Sequence, residues 1–285
     1  KIIYRGEGER TFLTDQDNEA YIDFSGLIKI EIRGSSSQAL PKKQYGFKTY
    51  DDAGEDKINV ELLGMPKENN WILNGLAFDP SLMRDYIAYN LSRQIGEYAS
   101  RTQYCEMVLN GVYNGIYVLQ EKMKQDDNRI NITPVGDNED GNLTGGYITK
   151  SDKIDDSDPL AWSMPNYAGY ETNFVHAEPD PEDVTASQND YIKGQFERLQ
   201  ATVSAGNASK ADGYPSVIDV PSFLNFILLN ELSSNVDGYE YSTYFHKDKN
   251  GKLRAGPIWD FNLTFGNDLF IWGFDRSFTN VWQFD

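Results

Sequence analysis

The sequence predicts an α+β fold arranged as two lobes. Three observations carry this. The first part of the chain holds short apolar or alternating runs broken by Gly, Ser and Asn turns. A single helical pattern interrupts those runs. After a polar zone, two longer helical patterns lead into a last hairpin. The boundary is expected after Lys122, with a β-rich lobe over 1–122 and a mainly helical lobe over 123–285. At 285 residues, 39% apolar and 25% charged, the chain can fill such cores.

Residues 27–33 alternate with period two, as a half-buried strand does. Gly34 and Ser35 to Ser37 turn the chain, and 45–50 forms a second strand. Residues 70–74 are a short apolar piece. Asp79-Pro80-Ser81 opens a helix, with Asp79 as cap and Pro80 in the first turn. Leu82, Tyr86, Ile87, Tyr89 and Leu91 fall near helical spacing, and Gly96 ends it. Strands over 104–109 and 112–119 flank the tight-turn pair Asn110-Gly111. Residues 125–128 and 136–142 are loops, and 145–149 is another strand. Residues 155–183, acidic and holding Pro159, Pro165, Pro179 and Pro181, predict a long irregular excursion. A helix over 188–203 follows. A second over 221–234, capped by Asp219, buries Phe223, Phe226, Ile227, Leu229 and Leu232. The hairpin pairs 241–246 with 253–259 around Lys249-Asn250-Gly251.

The net charge is -18 and the pI about 4.5. A nucleic-acid partner is not expected, since phosphate backbones need a basic surface. A basic polypeptide is easier to accommodate, although surface acid also serves solubility alone. No apolar run of membrane-spanning length is present. The chain starts at Lys1 without Met, which suggests a trimmed or mature form whose export signal has been removed. Cys105, the single cysteine, reads as a core thiol on a strand.

Asp237 follows the last helix, and Asp260 follows the final hairpin. Paired strands of similar length return the chain to its start, so the two carboxylates are expected side by side. Protein kinases hold a catalytic base and a magnesium ligand in this way. An Asp at the first place accepts a hydroxyl proton or orients the attacking oxygen. An Asp at the second binds Mg²⁺ through a hard oxygen. Asp260-Phe261 also echoes the kinase Asp-Phe-Gly, with Asn262 in place of Gly. Both aspartates are equally ordinary as turn residues.

Arg33-Gly34-Ser35-Ser36-Ser37 can lay N–H groups and hydroxyls over phosphates, though Gly-Ser turns are common in hairpins. Lys48, on the following strand, stands where a kinase lysine holds the α- and β-phosphates. The bland alternative is a solvent-facing strand lysine, and Lys42 and Lys43 read as loop charge. Arg84 and Asp85 lie on the helix expected to pack beside Lys48. The acid that would orient Lys48 stays open among Asp79, Asp85 and a later residue. Residues 117–122, with Glu121, run from an apolar strand into a polar connection, as a hinge contacting adenine does; an ordinary strand end fits too. His176 and His246 form neither a metal pair nor a triad, and His246 is expected to point outward.

These stretches resemble the CotH family. The matching residues are Arg33-Gly34-Ser35-Ser36, Pro41-Lys42-Lys43 and Phe47-Lys48; Asp79-Pro80-Ser81-Leu82-Met83-Arg84; residues 114–122; and Gly145-Gly146-Tyr147. Asn235-Val236-Asp237, then residues 257–262 and Phe265-Gly266, complete the series. The resemblance implies an atypical protein-kinase-like fold that transfers phosphate from ATP, with Mg²⁺ or Mn²⁺, to Ser or Thr hydroxyls of exported or cell-surface proteins. The family's known substrates are spore-coat proteins rich in Ser and basic residues. By the same resemblance Asp237 matches the catalytic aspartate, Asp260 the metal-binding aspartate and Lys48 a phosphate-contacting lysine. Arg33 and Arg84 match motif positions, with Ser35, Ser36 and Glu121 in the nucleotide-facing stretches. Ser242 stands where protein kinases place a second metal-binding Asn, and Asn262 where many relatives have an acid.

Ser242 and Asn262 leave open a catalytically weak pseudokinase used as a surface binding protein. A glycosidase built on two carboxylates, a glycan-binding aromatic face and transfer of AMP rather than phosphate are the other readings.

Overall fold

The computed structural model describes residues 1–135, 143–154, 158–166, 169–267 and 282. It is α+β. The chain forms two units, one of Lys1–Pro80 with Ser100–Lys122 and one of Ser81–Ala99 with Met123–Asp285. The loop expected over 136–142 lies outside the described residues.

The first unit is built from β1 (Ile2–Ile3), β2 (Ile22–Phe24), β3 (Leu27–Arg33), β4 (Gln44–Tyr50), β5 (Val60–Leu62), β6 (Met65–Glu68), β7 (Asn70–Asn74), β8 (Thr102–Leu109) and β9 (Val112–Glu121). Its main sheet runs β3-β4-β7-β9-β8, antiparallel throughout. Asn110 and Gly111 close the β8–β9 hairpin with positive φ at both residues, the geometry their pairing predicts. The β5–β6 hairpin lays Leu62 and Met65 against Phe47, Trp71 and Leu119 on one face. Cys105 packs at the edge of this cluster, and burial pushes its thiol up to about 11. The core-thiol reading holds.

β3 is a strand, but it is not half-buried. It lies at the sheet edge, beyond the cover of β5 and β6. Ile28, Ile30 and Ile32 remain 37–51% exposed. Alternation fixes which residues share a face; it does not say whether anything covers that face.

The second unit contains α1 (Arg84–Gln94), β10 (Tyr147–Ser151), β11 (Trp162–Pro165), β12 (Glu171–Glu178), α2 (Ala186–Ser204), α3 (Tyr214–Val217), α4 (Val220–Ser233), β13 (Thr243–Lys247) and β14 (Leu253–Ala255). A five-stranded sheet, β11-β12-β10-β13-β14, runs through it. The irregular excursion expected over 155–183 is therefore corrected in its described part, which contributes two strands. The prolines misled because they sit where a sheet tolerates them. Pro165 ends an edge strand, and Pro179 follows the last residue of β12. The aromatic core of this unit gathers Trp162, Phe174 and Phe196, with ring centroids 4.9–5.6 Å apart.

Two helix faces also differ from expectation. α1 begins at Arg84, and Met83 precedes it as the cap position. Leu82 has φ 61°, so the chain cannot run helically through 79–83, and Asp79 does not cap. The buried face of α1 is Asp85, Ala88, Tyr89 and Ser92, while Tyr86 and Ile87 are exposed. In α4, capped by Asp219 through Ser222 N at 3.0 Å, Ile227 and Leu232 are exposed beside Leu224 and Leu228. Large apolar residues are spread round this helix, so their periodicity selects no face. Its buried Ser222, Asn230 and Ser233 mark the inward side.

The carboxylate of Glu121 is fully buried and is gripped by Arg101 through Nη1 at 3.0 Å and the backbone N–H at 2.9 Å. Removing one member of a buried pair leaves the other charge poorly compensated. Arg101→Ala is expected to cost about 3 kcal/mol in urea unfolding. A loss below about 0.5 kcal/mol, the range of an inert surface change, would show that the pair is not structural.

Candidate functional site

The site is built at the C-terminal end of α4. Asn230 is fully buried there, and its Nδ2 donates to Phe226 O at 2.9 Å. Its Oδ1 accepts from Asn235 Nδ2 at 2.8 Å. Asn235 Oδ1 in turn accepts from the N–H of Asp237 at 3.3 Å. Two asparagine side chains thus hand the direction of α4 to the loop that carries Asp237. Gly238 follows because the loop passes close to the helix: a Cβ there would come within 2.9 Å of Asn230 Oδ1 and 3.0 Å of Asn235 O. The Asp237 carbonyl accepts from Tyr241 N at 3.0 Å, closing the turn ahead of β13. Tyr239 Oη donates to Glu231 Oε1 at 2.6 Å. Burial and Glu231 together push that phenol well above its ordinary value.

Asp260 comes from the other side. The β13–β14 pairing covers Phe245–Ala255, His246–Arg254 and Lys247–Leu253 only, so the hairpin is shorter than 241–259 suggests. Gly256 and Pro257 end it. The return of Asp260 therefore depends on later contacts. Val236 N donates to Leu263 O at 3.3 Å, and Phe265 N donates to Ser233 O at 2.6 Å. The second of these carbonyls belongs to the last residue of α4, which has no helical N–H to receive. The turn after Asp260 is thereby stitched to the loop before Asp237.

α1 supplies the third side. Tyr89 Oη accepts from the N–H of Asp260 at 3.2 Å. The Tyr89 ring stacks on Trp259, with centroids 6.2 Å apart and planes 16° from parallel. Burial, with Asp85 and Asp260 nearby, raises the Tyr89 phenol well above its ordinary value, so it stays a neutral hydroxyl. Arg84 Nε donates to Thr264 O at 2.8 Å. Among the described residues, Asp260 at φ 58°, Ser242 at 49°, Ser234 at 49°, Tyr239 at 72° and Phe265 at 49° adopt the left-handed conformation. That is half of the chain's described non-glycine residues with positive φ, gathered in two turns. Such backbone persists where the surroundings over-determine it.

Asn262 Nδ2 donates to Asp260 Oδ1. The carboxylate and the Asn262 carbonyl offer hard oxygens of the kind Mg²⁺ takes. Among the described residues no group of three or more His, Cys, Asp or Glu forms a metal cage. Ser242 opens the turn into β13.

In the first unit, register aligns Lys48 with Lys29, Gly46 with Glu31 and Gln44 with Arg33. All six lie on the sheet face opposite Phe47. Lys48 is half-buried, and its amine has no hydrogen-bond or ion-pair partner among the described residues. Gly34 takes φ 99°, and a Cβ there would meet Ser37 Oγ at 2.1 Å, so this turn requires glycine. Ser35 and Ser36 are exposed beside it. Lys42 Nζ donates to Ile116 O and sits 4.7 Å from the Tyr117 ring. Lys43 Nζ donates to Gln38 O at 2.7 Å. These two lysines pin the loop. The carboxylate of Glu121 is directed to Arg101.

His246 is not outward. Its ring is half-buried with Nδ1 2.9 Å from Gly256 O, and burial lowers its pKa. The tight turn to Pro257 folds over the strand face that alternation assigned to solvent. Sequence reasoning missed Tyr89 and Asn230 as parts of the site. Tyr89 was absorbed into an apolar face, and its hydroxyl gave no separate signal. Asn230 was the legible clue, an amide set among Phe226 and Leu229 that must find partners when buried.

The model of the family described as CotH kinase protein matches residues 30–277. The chain is also similar to the inner spore coat protein H of Bacillus subtilis strain 168, at 22% identity over 255 residues. That stretch covers 85% of this chain and 60% of the relative, so the chain spans about three fifths of that protein's length.

Tyr89→Phe keeps the ring stack and removes the acceptor of the Asp260 N–H. It is expected to cost about 1–3 kcal/mol and to speed hydrogen exchange at the Asp260 amide. Unchanged exchange at that amide would show that Tyr89 does not hold the turn.

Proposed function

We propose that this chain, which belongs to the CotH family, transfers the γ-phosphoryl group of ATP to a Ser or Thr hydroxyl of an exported or cell-surface protein. The observation that carries this reading is the stitching of the Asp237 loop to the Asp260 turn, through Val236–Leu263 and Phe265–Ser233. Two acids on separate segments are held by backbone bonds rather than by flexible side chains. Phosphoryl transfer depends mostly on such positioning and on charge neutralisation.

In this reading Asp237 accepts or orients the proton of the attacking hydroxyl. Asp260 and Asn262 would hold Mg²⁺, with Ser242 as a further oxygen, and the ion would supply neutralisation of triphosphate charge. Lys48 steadies the phosphates, and Arg33, Ser35 and Ser36 border the same region of the first unit. Arg84 acts on the segment behind Asp260 by fixing Thr264 O. The two units, seen this way, are the lobes of a protein-kinase-like fold, with the first unit, 1–80 and 100–122, supplying the nucleotide-binding part. The family membership and a relative named as a spore-coat protein support a substrate outside the cytoplasm. The acidic character of the chain, at net charge -18, suits a basic, Ser-rich polypeptide.

A second reading is a nucleotide-binding protein with weak or no turnover. It rests on the amide of Asn262, which occupies one oxygen of Asp260, and on the hydroxyl of Ser242 in place of a stronger ligand.

Incubation with γ-labelled ATP, Mg²⁺ or Mn²⁺ and a basic Ser-rich protein separates these readings. Label is expected in the acceptor. Asp237→Ala is expected to lower transfer by at least about 100-fold, and Asp260→Ala to abolish it. Label that survives Asp260→Ala would remove the metal assignment. Thermal stabilisation by ATP without label would favour the second reading. Label retained from α-labelled rather than γ-labelled ATP would identify AMP transfer. Asn262→Asp adds a carboxylate beside Asp260 and is expected to lower the Mg²⁺ concentration for half-maximal transfer several-fold, by about one charge-assisted ligand. An unchanged or higher requirement would place Asn262 outside the metal site.

A further inference from the structure

A pocket of about 160 Å³ lies in the second unit, and none of the residues assigned to phosphate transfer lines it. The end of α1, the inward side of α4 and residues 254–258 wall it. Its apolar side is Phe226, Leu229 and Ile258. Its polar side includes Ser92, His246 and Arg254. The volume is close to the roughly 150 Å³ of an apolar cavity known to hold benzene.

The chemistry of the polar side is specific. Gly256 O can only accept, so His246 Nδ1, at 2.9 Å, carries the proton. In the neutral ring Nε2 is then an acceptor, and it has no hydrogen-bond partner among the described residues. Burial favours that neutral ring. Ser92 is 1% exposed, and its hydroxyl has no partner either. A buried polar atom without a partner is uncommon and asks for an explanation. Each cation at the pocket already faces a carboxylate. Arg254 contacts Glu97 at 3.0 Å and Asp219 at 3.1 Å. Arg129 contacts Asp126 at 3.0 Å. An anionic ligand would have to displace one of these carboxylates.

We propose that this pocket binds an uncharged planar molecule of benzene-to-phenol size, oriented by one O–H or N–H donated to His246 Nε2. The apolar side covers the ring of the ligand, and the imidazole selects the donor. Residues 256–258 form part of the wall and continue directly into Trp259 and Asp260, so a bound ligand braces the mount of Asp260. The site does not depend on the activity proposed above.

Phenol is the probe and toluene, of the same shape without a donor, is its control. Both are titrated into the full chain with ¹⁵N-labelled histidine and followed by NMR and by melting. Phenol is expected to bind saturably, to shift the His246 Nε2 resonance and to raise Tm by about 2–4 °C near saturation. Toluene is expected to bind about fivefold more weakly without the Nε2 shift. His246→Phe is expected to erase the preference. Equal binding of the two, no saturable response to phenol, or a shift at His176 instead of His246 would overturn the proposal. So would a preference that persists in a folded His246→Phe variant. If that variant does not fold, the Nε2 resonance of the unsubstituted chain decides alone.

Discussion

The second unit depends on how the last carbonyls of α4 are satisfied. A helix ends with acceptors that have no helical N–H to receive, and here one of them accepts from a residue distant in sequence. Phe265 N reaches Ser233 O, and Val236 N reaches Leu263 O. Both acids of the candidate site ride on the segments that these two bonds join. The cost is local strain: Ser234 and Phe265, next to the stitch, are both forced to positive φ. The buried amides of Asn230 and Asn235 then fix the exit of the chain, because neither can be left without partners. Polar satisfaction, more than apolar burial, decides where Asp237 stands.

The elements with strong local signals were legible. Asn110-Gly111 marked its hairpin, Asp219 capped α4, and β4, β8 and β9 emerged within a residue or two. What failed was anything decided by cover rather than by pattern. β3 alternates as a half-buried strand does, yet its isoleucines stay 37–51% exposed among the described residues. Large apolar residues are spread round α4, so the choice of Leu229 over Leu228 for the interior could be made only by the neighbours. The proline-rich stretch was read as a break in structure, although edge strands accept proline at their ends. In the candidate site, chain order predicts that the segments of Asp237 and Asp260 approach, and backbone bonds join those segments. The idea that strand pairing returns Asp260 was incomplete, since pairing stops at the Phe245–Ala255 pair and the stitch and Tyr89 do the rest.

At its β3–β4 edge the first unit differs in chemistry between the two faces of the sheet. One face is closed by Leu62 and Met65 over Trp71. The other carries Lys29 directly across from Lys48, with Glu31 and Arg33 following along β3. Two lysines directly across from each other repel, and Lys29 answers by lying 4.0 Å from the Tyr50 ring. The face is thus left with a cation that the strand pairing does not neutralise. In a chain this acidic, local positive charge must be created by such placement.

The polypeptide passes from one unit to the other at residue 80, returns at 100 and leaves again at 122. The stretch between the first two passages is α1, the helix that reaches the Asp260 turn through Arg84 and Tyr89. A single cut after Lys122 would therefore take the supporting hydroxyl away with the wrong fragment. The downstream piece would keep Asp237 and Asp260 but lose a wall of the fold that holds them. Deletion mapping and split-reporter assays divide proteins at one bond, and on this chain neither product would correspond to a folding unit. Inactivity of both pieces would report the route of the backbone, not the location of the chemistry.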